Sequence, residues 1–395
     1  MSKRISYFTN LIYFVVLVVF VVVRVCSAYG LFSFMGEYGS YIMSFITQVG
    51  IIFLLPLVLF KMLNKFSFRT TFNFYGFKKV SYKTVLVAIV LGAVVFLLNV
   101  YVSSFFNSMI QLFGYTPSSS SSSLPATWWV FVLNLITTAI LPAICEETLH
   151  RGMLLKGNSQ MGIKKSIIIS GFLFGLLHLN IEQFFYATII GLFLGYLCWG
   201  CNSIYPCIIV HFMNNAISVF LSFAQAKGWA IGNILNTFSN FVLQSGAIGF
   251  LIFVLVLVLF VVIAIELTRF LIKDSFNYNF GRRQKELANM AIRDSFFRQI
   301  DDIKNDQQVE NSIYSTDKNI IYIDFKDFLE FVNKNFENLK KEVGGAENKF
   351  AGKNEKISKQ KPIENVDLKI KILMWGSIAL SAVVTFMTFI WGLLR

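Results

Sequence analysis

The chain has 395 residues, 55% of them hydrophobic and 16% aromatic, with 43 Phe and a mean hydropathy of +0.63. Several apolar runs pass the roughly 18 residues that mark a membrane helix, which excludes an ordinary soluble domain and predicts an all-α polytopic membrane protein. The formal charge of +13 does not require nucleic acid: residues 271–368 carry 17 basic and 17 acidic residues, so the excess lies in the short loops of the apolar part.

Nine apolar runs follow one another: Ile5–Ala28, Tyr41–Leu63, Val85–Ile110, Thr127–Leu155, Ser166–Asn180, Phe184–Trp199, Ile204–Ala224, Ala247–Ile272 and Leu368–Leu394. The first follows Lys3-Arg4 without a small-residue cleavage site, and reads as a retained helix. Lys3 and Arg4, the cluster Lys61–Lys83, the group Arg151, Lys156, Lys164 and Lys165, and the group Arg269, Lys273, Arg282 and Arg283 all fall on one side if every run spans. The positive-inside bias makes that side cytoplasmic, with the amino terminus inside and the carboxyl terminus outside a cell membrane. Ser118–Ser123 reads as an external polar loop. Between Phe66 and Lys83, alternating aromatic and basic residues suit an interfacial segment.

These signals divide the chain into residues 1–126 with three helices, a core over 127–224 with helices four to seven, an eighth helix in 225–273, a cytoplasmic insert over 274–367 and a last helix in 368–395. Within the insert, Gln284–Asp302 reads as an amphipathic helix, Ile320–Phe325 as a short strand, Lys326–Val343 as a helix and Gly344–Pro362 as a polar, unstructured tract. The five cysteines include Cys198-Trp-Gly-Cys201, but without a partner pair at zinc-site spacing it reads as packing.

The chemistry sits in Ile144-Cys145-Glu146-Glu147-Thr148-Leu149-His150-Arg151-Gly152. Outside residues 271–368 the chain has only five acids (Glu37, Glu146, Glu147, Glu182 and Glu266), so an adjacent pair at a membrane boundary is a functional signal. His178 and His211 lie in two later runs, and Asn215 follows His211 by one turn. Helix rise puts Glu146 about 15 Å from Lys156, His178 about 20 Å from Lys165 and His211 about 13 Å from Asn202, a common depth measured from the cytoplasmic side. Glu147 and Arg151 are i,i+4 partners suited to an ion pair, and His211 and Asn215 share a helix face. His150, one turn after Glu146, reads as an interfacial histidine in the first place and, as its i,i+4 neighbour, as a modulator of that carboxylate in the second. Gly171-Phe-Leu-Phe-Gly175 and Gly191-Leu-Phe-Leu-Gly195 are small-xxx-small repeats that allow close helix approach around a cavity, expected to face the cytoplasm. A carboxylate removed from water, with a neighbouring imidazole, can activate water, while His and Asn can donate to a carbonyl oxyanion.

Glu146-Glu147-x-x-x-Arg151, Phe174-x-x-x-His178 and His211-x-x-x-Asn215, in that order on three apolar helices, resemble the CAAX-protease and bacteriocin-processing (Abi) family of intramembrane proteases. The likeness extends to its type II CAAX prenyl endopeptidases and covers roughly Thr127–Ala224. The resemblance implies an endopeptidase in which Glu146 and His178 activate water, His211 and Asn215 hold the oxyanion, and Glu147 and Arg151 organise the site. It implies no obligatory cofactor; if zinc is held, Glu146, His178 and His211 are its ligands. The substrate is expected to be a membrane-associated peptide or protein of a bacterial cell, met in the lipid bilayer. A non-proteolytic scaffold that regulates an envelope enzyme or sensor, binding a partner through the insert, is the alternative. A proton-coupled transporter is a third reading, although no internal repeat supports it.

Overall fold

The computed structural model describes residues 2–117, 125–305 and 367–394, and these residues are helical with short connections and no strand among them. In chain order the helices are α1 (Ser2–Ala28), α2 (Gly39–Asn64), α3 (Phe68–Tyr75), α4 (Tyr82–Leu112), α5 (Trp128–Leu155), α6 (Ile163–Leu177), α7 (Ile181–Cys201), α8 (Tyr205–Ala226), α9 (Ile234–Gln244), α10 (Gly246–Asn305) and α11 (Leu368–Leu393). Side chains start several of them: Ser67, Ser81, Thr127 and Asn180 each accept a hydrogen bond from a first-turn backbone N–H. The chain divides into two units, Met1–Asn279 with Asn365–Arg395, and Phe280–Glu364. In the second, the described part is the continuation of α10, which contains the helix expected over Gln284–Asp302. The expected strand Ile320–Phe325, helix Lys326–Val343, tract Gly344–Pro362 and loop Ser118–Ser123 lie outside the described residues.

The chain is an all-α polytopic membrane protein. Eight helices among the described residues are long and apolar enough to cross a membrane, one fewer than the nine runs predict. The difference is α6, whose 15 residues rise about 22 Å against a hydrocarbon core of about 30 Å. It stops because Leu179 takes a left-handed backbone (φ 50°) and Asn180 then caps α7.

The basic loops gather at one end of the first unit. There Arg4 donates to the Leu63 carbonyl (2.9 Å), Ser6 to Asn158 Oδ1 (2.8 Å), Lys78 to Asn202 Oδ1 (2.9 Å), and Ile204 N–H to the Gly76 carbonyl (3.0 Å). Lys156 is packed against Gly76, and burial, joined by the charge of Lys78, holds its ammonium below the usual lysine range. The segment Phe66–Lys83 forms α3 and two turns, with Tyr75 buried against Phe60. On the stem of α10 at this end, Asp274 accepts from Ser81 and Thr84 of α4. Helix α11 runs parallel to α1: Gly376 faces Phe14, and Arg24 shares a cavity with Met387 and Trp391. The start of α1 and the end of α11 therefore lie at opposite ends of the bundle.

Two apolar clusters fill the interior. One joins α1, α2, α3, α5 and α6 around Tyr13, Phe60, Leu149 and Leu173, and the other joins α4, α7, α8 and α10 around Leu91, Leu194, Val210 and Leu271. Large apolar side chains of α10, among them Phe250, Leu255, Leu259 and Val262, remain exposed, as suits a surface solvated by lipid. The glycine repeats do what their spacing predicts for α6 and α7. A Cβ on Gly171 would lie 2.6 Å from the Leu192 nitrogen, one on Gly191 2.6 Å from the Gly171 carbonyl, and one on Gly175 2.8 Å from the Phe184 carbonyl. Gly195 is the weakest of the four, meeting only an Ile167 methyl at 3.3 Å.

Candidate active site in the membrane bundle

Between α1, α2, α4, α5, α6, α7 and α8 lies a cavity of about 690 Å³, and its walls include Glu146, His178, His211 and Asn215. The common depth expected for these residues thus corresponds to a common space. Helix α5 carries the two carboxylates between two stretches of widened, i→i+5 bonded turns, Leu135–Ile140 and Thr148–Leu155, and α2 widens similarly over Ile46–Leu54. Such turns re-aim side chains and concentrate at functional sites.

The adjacent carboxylates face different surroundings. Glu146 borders the cavity, and its Oε1 accepts from Gln48 Nε2 at 2.8 Å. Glu147 is wholly buried, and its Oε1 accepts from Arg151 at 3.1 Å and from His211 Nδ1 at 2.9 Å. Arg151, also wholly buried, donates a second bond to the Gly191 carbonyl at 3.0 Å and lies 4.3 Å from the Phe174 ring centroid. The glycine contact between α6 and α7 therefore also brings a backbone acceptor to Arg151. The i,i+4 ion pair is formed as predicted, and it extends to a histidine on another helix.

Phe174 is the centre around which the cations and imidazoles stand. Its ring packs edge-on with His150, His178 and His211 at centroid separations of 5.1, 5.3 and 5.7 Å. Each histidine has its Nδ1 committed, and His150 Nε2 also meets the Tyr13 hydroxyl at 3.5 Å. His178 Nδ1 donates to the Phe174 carbonyl (3.0 Å), which leaves Nε2 of the neutral ring as an acceptor beside the cavity. His211 Nδ1 donates to Glu147, so its Nε2 is likewise an acceptor unless the ring is protonated. His150 Nδ1 donates to the Glu146 carbonyl (2.9 Å) and the ring packs on Tyr13. His150 is fully buried, which corrects the expectation of an interfacial residue: the helix turns it inward, toward Phe174 and Tyr13.

Asn215 donates to the Thr138 carbonyl at 2.9 Å and accepts from Asn214 Nδ2 at 2.8 Å, so its amide is held with one N–H uncommitted. Asn99 in turn donates to Asn214 at 3.3 Å. Gln48, Asn99 and Asn214, with Arg24 and Tyr186 in the same wall, escaped the sequence reading. Their signal was there, since each is a polar or ionisable side chain inside an apolar run, but it has no fixed spacing to the motifs.

Among the described residues no three His, Cys, Asp or Glu side chains gather as a metal requires, so Glu146, His178 and His211 do not make a ligand set as they stand. Cys198, Cys201 and Cys207 are buried, reduced and part of the α4–α7–α8–α10 core.

The cavity lining begins at Glu146 and His211 and continues away from the basic end. On the basic side Glu147, His150, Arg151, Met153 and Leu154 have essentially no exposure and close the floor.

No curated protein and no solved structure matches the chain. Residues 127–217 match the family of type II CAAX prenyl endopeptidases described as Rce1-like, a stretch that holds Glu146, Glu147, Arg151, His178, His211 and Asn215 but none of α1, α2 or α4. Through that segment the chain is similar to the CAAX-type intramembrane proteases.

Proposed function

We propose that the protein is an endopeptidase that hydrolyses a peptide bond of a membrane-associated protein or peptide, with Glu146 and His178 activating water. The observation that carries this reading is the convergence of Glu146, His178, His211 and Asn215, from three helices, on one cavity. Gln48 engages one carboxylate oxygen of Glu146, which orients the other toward a water that can also donate to His178 Nε2. The water attacks the carbonyl carbon as Glu146 takes its proton, and the tetrahedral oxyanion receives the free Asn215 N–H. His211 donates as well when its Nε2 carries a proton. Collapse breaks the C–N bond, and the proton held by Glu146 goes to the leaving amine. The Glu147–Arg151 pair positions His211 and touches no reacting atom.

No step is assigned to a metal. Cleavage is therefore expected to survive exhaustive chelation, and restoration by zinc after its loss would refute that part. The basic end is taken as cytoplasmic, with the amino terminus inside, the carboxyl terminus outside and the protein in a bacterial cell membrane.

The test uses the full chain in proteoliposomes with a set of membrane-inserted peptides, and products are identified by mass. Glu146→Gln and His178→Ala should each abolish cleavage while the melting temperature stays near that of the unaltered chain. Cleavage by a well-folded Glu146→Gln variant would sink the mechanism. The separate unit Phe280–Glu364 favours a second reading, a scaffold that binds a partner. That reading gains if the physiological role survives Glu146→Gln and fails on deletion of 280–364.

A further inference from the structure

The cavity has a direction, and the helices report it independently. On α5, which runs toward the basic end, the lining extends from Glu146 back to Thr137, about 13 Å of helix rise. On α8, which runs away from that end, it extends from His211 forward to Ser218, about 10 Å. Helix α4 contributes Phe96 to Ser104, and α1 contributes Phe20 and Arg24, again in the direction away from the basic loops.

Arg24 stands at the far end of this lining, inside the first membrane span. Among the described residues it has neither an ion pair nor a hydrogen bond, and a second cavity of about 310 Å³ between α1 and α11 shares it. An arginine in a span without a carboxylate partner is costly and marks a functional position. A guanidinium, with its fork of donors, suits a carboxylate or other oxyanion.

We infer that the site is entered from the extracytoplasmic side, and that Arg24 at its mouth receives an anionic group of the incoming substrate. This rests on the peptidase reading and on the basic end being cytoplasmic. It assigns the substrate to segments presented at the outer face that carry a negative group, such as a terminal carboxylate, some distance from the cleaved bond. Glu146, His178, Tyr186 and His211 are the other titratable groups lining the cavity, and Glu146 and His211 lie deepest.

The test is thiol labelling of the full chain in a Cys26→Ser background, because the other four cysteines are buried. Ser218→Cys and Ser103→Cys report the cavity, and Ser159→Cys reports the basic end. The probes are two membrane-impermeant methanethiosulfonates, one anionic (sulfonatoethyl) and one cationic (trimethylammonioethyl). In intact cells both cavity variants should react while Ser159→Cys reacts only in inverted vesicles. The anionic probe should be favoured about fivefold relative to free thiol, and Arg24→Gln should remove that preference. Cavity labelling from inverted vesicles alone, or from neither side, overturns outer entry. A charge preference unchanged in Arg24→Gln overturns the role of Arg24. Labelling of Ser159→Cys in intact cells would instead overturn the orientation. Labelling needs no turnover, so a failure of the peptidase reading shows separately, in the Glu146→Gln assay.

Discussion

Glu146 and Glu147 are consecutive on α5 and belong to opposite halves of the bundle. Glu147 lies in a packed floor with Arg151, His150 and Met153, all without exposure, and its charge is answered by an arginine and an imidazole. Glu146 lies at the bottom of an open cavity, where its carboxylate accepts from the neutral amide of Gln48. One helix thus supplies one carboxylate packed in the interior and another that borders a cavity. The contrast teaches that a motif of adjacent acids need not be a catalytic dyad: in a helix, consecutive side chains diverge by about 100°, and packing decides which of them meets water.

The two carboxylates should respond very differently to substitution. Glu147→Ala strands a buried guanidinium and should cost about 3–5 kcal/mol, read as a large fall in melting temperature of the intact chain in detergent. Glu146→Gln should stay within about 1 kcal/mol by the same measurement, since the site tolerates a neutral amide facing water. Equal losses would show that Glu146 is also a packing residue.

The floor can be probed through the helix contact that supports it. Gly191→Ala forces a methyl into the Gly171 carbonyl and should destabilise by about 2 kcal/mol, while Gly195→Ala, facing only a movable Ile167 methyl, should stay within about 0.5 kcal/mol. His150 and His178 sharpen the same division. His150→Ala should lose about 2 kcal/mol of stability and keep cleavage per folded molecule, and His178→Ala should do the reverse. The smallest effect concerns Gln48: Gln48→Ala should slow cleavage about tenfold, roughly 1.4 kcal/mol of barrier, with the melting temperature nearly unchanged. Unaltered kinetics would mean that Glu146 needs no orientation from α2.

Much of the molecule was legible beforehand because its signals are local. Runs of about 20 apolar residues identify membrane helices without reference to tertiary contacts, and helix periodicity alone put Glu147 beside Arg151 and His211 on one face with Asn215. The short α6 was overcounted because hydropathy measures length of apolar sequence, whereas the helix ends where Leu179 turns left-handed. His150 was misplaced for a related reason: its neighbours in sequence lie near a boundary, but its neighbours in space are Tyr13 and Phe174.

What the sequence determined by itself is the membrane class, the family motifs of residues 127–217 and the set of helices that bear them, since each is written in composition or in spacing within one turn. Only the tertiary structure decided that Gln48 of α2 reaches Glu146, that His211 is tied to Glu147, and that the cavity runs away from the basic loops toward Arg24. Those facts depend on contacts between residues 64 or more positions apart, such as the 98 that separate Gln48 from Glu146. No periodicity within a single helix encodes which side chains of another will close against it.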